Sequence, residues 1–297
     1  MKMPAFCYHR PATVEEAVGL LAERGPDAKV LAGGQSLVPL LALRLSHPAH
    51  LVDIGRVAGL DTVDDGPGGF TVGAGVRHSQ VELSPVTARV APLVAAAMPH
   101  IGHRAIRNRG TVCGSLAHAD PAAELPAVAL AVDAELIVRS SAGERTIPAA
   151  DFFLGYLTSA LDDTELLTAV RFPPWPPSTG WSVAEISRRH GDYALVGLAA
   201  VVGLGEGGRV QRAALSFLGA GATPVRVTEA ERVLVGEHPD PAAFAEAADV
   251  VTKTIDPPGD NHATAAYRAH VAGVLTRRCL AEAAERARAG SGAGGSA

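Results

Sequence analysis

The chain has 297 residues, of which 47% are hydrophobic and 19% are charged, so it can bury a large core and exceeds one minimal domain. Its formal net charge of -5 provides no electrostatic footprint for nucleic acid, and no DNA or RNA partner is expected. Its three cysteines lie far apart, which argues against a disulfide framework and a zinc site. A four-thiolate iron–sulfur cluster would have to belong to a partner.

The first part of the chain has the pattern of a small β-α-β unit. The N-terminus lacks the apolar run of a signal peptide, and no stretch reaches the roughly 20 apolar residues that cross a bilayer. A cytoplasmic location without a transmembrane segment is therefore expected. Thr13 is the expected N-cap of the first helix, with Glu16 three residues on. The expected elements are a helix over 13–23, a strand over 28–32, a short helix over 37–45 and a strand over 51–54.

The middle of the chain mixes a hairpin with helices and ends at a proline run. The expected elements are a hairpin over 59–74, helices over 79–83 and 87–97, a glycine-rich loop over 110–115, a helix over 123–131, and strands over 134–139 and 165–172. Residues 173–177 contain four prolines, which neither a helix nor a central strand accommodates. The main domain boundary is therefore expected there.

The remainder of the chain predicts a second, smaller domain. Its expected elements are strands over 181–187, 194–204 and 210–217, with a glycine turn at 205–208, followed by helices over 228–235, 241–251 and 263–288. The domain prediction is thus residues 1–175, with sub-domains 1–56 and 57–175, then residues 178–288. Residues 289–297 consist only of glycine, alanine and serine and are expected to form a disordered tail.

Two glycine loops carry the functional hypothesis. The first, VLAGGQS at residues 30–36, follows a strand directly, and its glycines free the backbone N–H groups to surround phosphate oxygens. A simple tight turn is the alternative interpretation of this loop alone. The loop lacks the third glycine of the dinucleotide fingerprint and no Gly-Lys-Ser/Thr follows, so neither the Rossmann nor the P-loop pattern fits.

The second loop makes the pattern specific. The pairing of AGGQSLVP, at 32–39, with RNRGTVCGSLAHADPAAELP, at 107–126, resembles the FAD-binding medium subunits of the molybdenum hydroxylases. That family includes carbon monoxide, nicotine, quinoline and xanthine dehydrogenases. Further matches are DDTELLTAVRFP at 162–173, SRRHGDYALV at 187–196 and AAYRAHVAGVLTRRCLAEA at 265–283, so the resemblance runs through the whole chain.

The resemblance implies an α+β fold: a two-part FAD-binding domain of the vanillyl-alcohol-oxidase (PCMH) type followed by a smaller α/β C-terminal domain. It also implies that this chain binds FAD non-covalently and has no catalytic residue of its own. No metal site is expected either, because His100, His103 and His118 are too irregularly spaced for a metal motif. Substrate chemistry would occur at a molybdenum cofactor in a large partner subunit. Electrons would pass through [2Fe-2S] clusters of a small subunit to the FAD, in a dimer of heterotrimers. The organic substrate and the terminal acceptor stay open.

The resemblance further implies a set of cofactor-binding positions. The pyrophosphate would be held by the first loop and its flanks, namely Lys29, Leu31, Ala32, Gly33, Gly34, Gln35, Ser36 and Leu37. The opposite wall would comprise Gly110, Thr111, Gly114 and Ser115. The ribityl chain and the flavin would meet His118, Asp120, Glu124, the Leu167 backbone and the Tyr193 ring.

Some features leave alternatives open. Many members of the family have a glycine and an asparagine where this chain has Cys113 and Ser115, and a side chain at 113 would crowd the cofactor if that backbone needs a positive φ. The arginines of RAIRNR, at 104–109, are expected either in a solvated turn or orienting FAD or a partner. A self-sufficient flavin oxidase or reductase of the same fold, and a flavin-free scaffolding subunit, are the competing functions.

Overall fold

The computed structural model describes residues 3–292, with side chains to residue 290. The chain begins with a three-stranded parallel sheet, ordered β1-β3-β2. Its elements are β1 (Cys7–His9), α1 (Val14–Arg24), β2 (Ala28–Leu31), α2 (Leu37–Ala42) and β3 (His50–Asp53). The predicted capping of α1 is confirmed, since the Thr13 hydroxyl accepts from the Glu16 N–H at 3.2 Å while the Glu16 carboxylate accepts from the Ala12 N–H at 2.7 Å.

A second, larger segment forms an antiparallel five-stranded sheet with its helices. The elements are β4 (Val63–Gly66), β5 (Gly69–Gly73), α3 (His78–Glu82), α4 (Pro85–Val90), α5 (Pro92–Ala97), α6 (Arg104–Arg107), α7 (Val112–His118), α8 (Glu124–Ala131), β6 (Glu135–Ser140), β7 (Gly143–Pro148), α9 (Ala149–Phe152), β8 (Phe153–Gly155), β9 (Thr158–Ser159) and β10 (Leu166–Phe172). The sheet order is β4-β5-β10-β6-β7, so the last strand in sequence is central. Strands β8 and β9 form a separate hairpin.

The C-terminal part is an antiparallel sheet with three helices. Its elements are β11 (Thr179–Ser187), β12 (Ala194–Leu204), β13 (Val210–Leu218), β14 (Val225–Arg226), α10 (Thr228–Leu234), α11 (Pro241–Thr254) and α12 (Ala265–Gly292). Helix α12 packs closely on β11, because a Cβ on Gly180 would lie 2.9 Å from the carbonyl carbon of Ala283. The glycine therefore permits the close approach of helix and strand.

The four-stranded C-terminal sheet is buried on both faces, and this burial joins the two parts of the chain. Along β12, Leu198 and Ala200 belong to the core beneath helices α10–α12, whereas the alternating Ala199 and Val201 belong to the core of the first part. Side chains on a strand point alternately to opposite faces, so one strand contributes to two cores. The part of the chain up to β10 and the C-terminal part are thus packed against each other through β11–β13 and helices α5 and α8.

The structure departs from the sequence prediction in several elements. The helix expected over 87–97 is two helices, because Pro92 follows Ala91, which adopts φ -142 and ψ 58 and ends α4. The glycine-rich loop expected over 110–115 is mostly the start of α7. Strands β1, β7, β8, β9 and β14 were not predicted. Helix α12 runs to Gly292, into the expected disordered tail, and residues 293–297 lie outside the described residues.

Candidate functional site

The two glycine loops meet at a backbone contact. A Cβ on Gly33 would lie 2.6 Å from the Cα of Gly110 and 2.9 Å from the carbonyl carbon of Arg109. Ordinary van der Waals contact begins at 3.4 Å, so only a residue without a side chain fits at this point. The expected convergence of the two loops is therefore observed, and the contact between them is backbone against backbone.

The first loop has a row of available donors. The N–H groups of residues 33–37 have no hydrogen-bond acceptor within the described part of the chain. Gly34 adopts φ +73, a conformation that glycine reaches without strain, and the Gln35 side chain donates to the Gly33 carbonyl oxygen at 3.2 Å. Successive free N–H groups in such a turn form an anion-binding concavity that needs no lysine.

The second loop is fastened at both of its ends. The Thr111 hydroxyl caps α7 by accepting from the Gly114 N–H at 3.0 Å. The His78 N–H donates to the Gly110 carbonyl oxygen at 3.0 Å, and the Arg77 guanidinium donates to the Arg109 carbonyl oxygen. The loop therefore keeps its position relative to α3 as well as to α7.

A cavity of about 630 Å³ opens between the two loops. Its volume lies within the range of about 300–1,000 Å³ that small-molecule and cofactor sites occupy. Thirteen sequence-predicted positions line it: Lys29, Ala32, Gly33, Gly34, Gln35, Ser36, Leu37, Gly110, Thr111, Gly114, Ser115, His118 and Tyr193. Residues from both loops and from the C-terminal part therefore share one cavity.

Four sequence-predicted positions are not among the cavity-lining residues of the described chain. Leu31 ends β2, and Leu167 is a buried residue of β10 beside a register shift. Asp120 accepts from the Ala122 N–H at 2.9 Å and shapes the turn before α8. Glu124 is only 7% exposed and faces the junction with β11. The sequence motifs alone did not distinguish these four positions from the residues that line the cavity.

Glu124 belongs to a group of charges where the two parts of the chain meet. Burial raises the pKa of Glu124 to about 7, and the charge of Glu185 on β11 adds to the rise. The His100 Nδ1 lies 3.6 Å from a Glu185 carboxylate oxygen, and this partner raises the pKa of His100. These three side chains therefore form one group of interacting charges at the junction of the two parts.

Tyr193 reaches the cavity from the C-terminal part. Burial of its hydroxyl end raises the pKa of Tyr193 to about 12, and the charges of Asp120 and Glu124 add to this effect. The side chain of Ser36, in the first loop, interacts with the hydroxyl and lowers the pKa in part. Tyr193 thus remains a neutral phenol, and 59% of the residue stays exposed.

Two concerns raised by the sequence are resolved by the structure. Cys113 lies in helical conformation in α7, fully buried, and its thiol faces the Val72 carbonyl oxygen at 3.6 Å, so its side chain points into the core and does not crowd the cavity. Of the RAIRNR arginines, Arg107 is buried and makes a bidentate ion pair with Glu82. Arg107 is therefore a structural residue, in place of the solvated turn or cofactor-orienting role considered for it.

One wall of the cavity was not predicted from the sequence. This wall is the segment around the β8–β9 hairpin, namely Leu157, Thr158, Ser159, Leu161, Asp162, Asp163 and Glu165. Arg145 holds it by a bidentate pair with Glu165, with both N–O distances 2.7 Å, and by donation to the Ala160 carbonyl oxygen at 2.9 Å. The motif DDTELL, at 162–167, was a signal for this wall, but a role was assigned only to its last residue, Leu167, which does not line the cavity.

Comparison with known proteins decides the family. Residues 4–175 match the model described as the FAD-binding domain in molybdopterin dehydrogenase, and residues 181–283 match the CO dehydrogenase flavoprotein C-terminal domain. The chain belongs to the FAD-binding medium subunits of the molybdenum hydroxylases. The predicted fold class and the predicted family are therefore confirmed.

Individual relatives cover nearly the whole chain. The 6-hydroxypseudooxynicotine dehydrogenase complex subunit alpha of Paenarthrobacter nicotinovorans is 43% identical, over 97% of this chain and 97% of its own. The carbon monoxide dehydrogenase medium chain of Hydrogenophaga pseudoflava is 35% identical, over 93% of this chain and 96% of its own. A solved carbon monoxide dehydrogenase from H. pseudoflava has a TM-score of 0.93 at 36% identity, covering 96% of this chain and 99% of that one. A quinoline 2-oxidoreductase structure from Pseudomonas putida 86 gives a TM-score of 0.92 at 38% identity, covering 97% and 99%.

Membership of this family makes the chain an FAD-binding subunit of a multi-subunit oxidoreductase, and the residues present fit that cofactor. The row of free N–H groups at 33–37 suits a diphosphate, and the Gly33 contact leaves no room for a side chain between the loops. Among the helices described, none combines the length and apolar character required to traverse a membrane.

Proposed function

We propose that this chain carries one non-covalent FAD that passes electrons from [2Fe-2S] clusters of a partner subunit to a terminal acceptor. The observation that carries the proposal is the meeting of the two glycine loops at Gly33 and Gly110, beside a cavity lined by both. When bound, FAD would accept electrons one at a time from the clusters and release them in pairs, as this electron-transfer route requires. The protein contributes position and electrostatic environment.

The chain's own residues supply distinct functions at this site. The N–H groups of residues 33–37 would donate to the diphosphate, and Thr111 keeps the second loop in register by capping α7. Tyr193 would place a neutral aromatic ring beside the cofactor, since its pKa is raised to about 12. Thr111 and Arg145 act through the loops that they hold, so they are positioning residues.

We propose the assembly that the family resemblance implies. A large subunit would hold the molybdenum cofactor and a small subunit the [2Fe-2S] clusters, with two heterotrimers forming the complete enzyme in the cytoplasm. Support comes from relatives whose names describe subunits of a dehydrogenase complex, of a nicotine hydroxylase and of a carbon monoxide dehydrogenase, matched over 97%, 96% and 93% of this chain. The substrate is selected by another polypeptide under this proposal, so this chain needs no substrate pocket of its own.

The proposal is tested by isolating the complex through a tag on this chain. We expect two further subunits, about one FAD per copy of this chain, and molybdenum and iron in the same peak. Limited anaerobic reduction should reduce the iron–sulfur clusters and bleach the flavin absorbance. In a complex whose flavin has been removed, the clusters should still be reduced while transfer to the acceptor is lost.

Two results would contradict the proposal in different ways. A single-subunit flavoprotein that turns over a substrate unaided would support a self-sufficient oxidase or reductase. A complete complex with reducible clusters but no flavin after FAD is supplied would support the scaffolding alternative.

A further inference from the structure

One buried side chain beside the second loop lacks hydrogen-bond partners. His78 opens helix α3, is only 4% exposed, and lines the cavity. Neither of its ring nitrogens has a hydrogen-bond partner of acceptable geometry, although its own backbone N–H is bonded to Gly110. Buried polar groups are nearly always paired, so an unpaired imidazole at a cavity wall requires an explanation.

The position of the ring relative to Gly110 is close. A Cβ on Gly110 would lie 3.0 Å from both Cε1 and Nδ1 of His78, and Gly110 also lines the cavity. The absence of a side chain at 110 therefore leaves this edge of the imidazole unobstructed at the junction of the loops. A core histidine of the ordinary kind would instead be bonded to a neighbouring carbonyl or carboxylate.

The charged groups around His78 are already engaged. Arg107 on α6 is paired with Glu82 on α3 and also donates to the Ile101 and Gly102 carbonyl oxygens. Arg77 donates to the Arg109 carbonyl oxygen. Burial, with the charges of Arg107 and Arg77, lowers the pKa of His78 to about 4, against smaller opposing effects of the Thr111 backbone and Glu82.

A neutral imidazole provides one donor and one acceptor. The Thr111 backbone acts on the ring without reaching hydrogen-bond geometry, so at neutral pH the His78 ring provides an N–H group with no well-formed bond among the described residues. The diphosphate and the ribose hydroxyls of a dinucleotide are acceptors, and the neighbouring loop offers them backbone donors of the same kind. The His78 ring and the free backbone N–H groups thus both offer donors to the same cavity, where phosphate and ribose oxygens could accept them.

We propose that His78 is a further cofactor-binding residue, which donates a hydrogen bond from its neutral ring to the phosphate or ribose oxygens of the bound FAD. This inference rests on the proposed function, because it assumes that FAD occupies the cavity. It adds to the glycine loops a side chain that the sequence motifs do not mark.

The test uses the intact complex with its flavin removed and FAD titrated back, followed by flavin fluorescence. His78→Phe keeps an aromatic ring but loses the donor, so the Kd for FAD should rise about tenfold, as expected for one hydrogen bond. His78→Gln keeps a side-chain N–H and should bind within about threefold of wild type. If His78→Phe fails to assemble, His78→Leu replaces it with the same expected loss.

Thr87→Val is the matched control. Thr87 is also fully buried with an unpartnered hydroxyl, but it lies in α4 and does not line the cavity. Removal of the Thr87 hydroxyl should leave the Kd for FAD unchanged. A second measurement separates binding from folding: the flavin-free His78→Phe complex should melt no lower than wild type, since an unpaired polar group costs stability.

Unchanged FAD affinity in the apolar His78 variants would overturn the inference while leaving the proposed function intact. Equal weakening by Gln and Phe, or a matching loss of stability in the flavin-free form, would also overturn it, because these results indicate a packing role. A wild-type complex that binds no FAD would instead defeat the proposed function.

Discussion

Replacing Gly33 with alanine tests the contact between the loops most sharply. The new Cβ would lie 2.6 Å from the Gly110 Cα, and the obstructing atoms are backbone, which no rotamer change can move. The loops must separate by about 0.8 Å to restore ordinary contact, and gaps of this size forfeit a quarter to a half of a van der Waals attraction. We expect a loss of about 1–3 kcal/mol in folding stability and at least about tenfold in FAD affinity.

The assay is FAD titration of the flavin-depleted complex, together with thermal melting without flavin. Gly19→Ala is the matched control, because Gly19 lies exposed in α1 with nothing within 4 Å of a new Cβ. That variant should gain up to about 1 kcal/mol from higher helix propensity and keep wild-type FAD affinity. Wild-type FAD affinity in Gly33→Ala would refute the close approach of the two loops.

Three further predictions follow from the same contacts. Gly114→Val should cost about 1 kcal/mol or more and weaken FAD retention, measured by flavin content, because its Cβ would lie 2.6 Å from the Thr111 hydroxyl that caps α7; full occupancy would contradict this. The folded-state pKa of Glu124, about 7, exceeds its unfolded value of 4.5, so stability falls as pH rises between them. Between pH 4 and pH 8, the free energy of unfolding of Glu124→Gln should therefore fall by up to about 3 kcal/mol less than that of the wild type. Denaturation at a series of pH values measures this, and an equal fall in both proteins would contradict it. A thiol reagent should label only Cys7 in the folded chain, because the other two cysteines are buried; mass spectrometry showing a second labelled site would contradict it.

Much of the local structure could be predicted because local signals agree with the fold. The Thr13–Glu16 capping pair starts α1 as expected, and the bounds of β12 are those that the apolar run predicted. By contrast, a sequence does not show which strand becomes central. Strand β10 lies between β5 and β6, and its pairing with β5 joins segments almost a hundred residues apart.

At the site, the glycine loops could be predicted because backbone approach demands glycine, and Gly33 against Gly110 is the result. His78 could not be predicted in this way, since its significance depends on the absence of a partner, which only the packed structure reveals. For Cys113 the sequence raised the concern that its side chain crowds the cofactor. In the structure, helix α7 instead turns this side chain into the core. Burial and orientation are properties of tertiary packing, which a local motif does not contain.

Both loops are proposed to surround one diphosphate, and an experimental structure of the FAD-loaded complex measures this directly. We expect diphosphate density within hydrogen-bond distance of the N–H groups of residues 33–37 and beside Gly110 and Thr111. Density for FAD at another surface, or a bound FAD that leaves these N–H groups facing solvent, would contradict it.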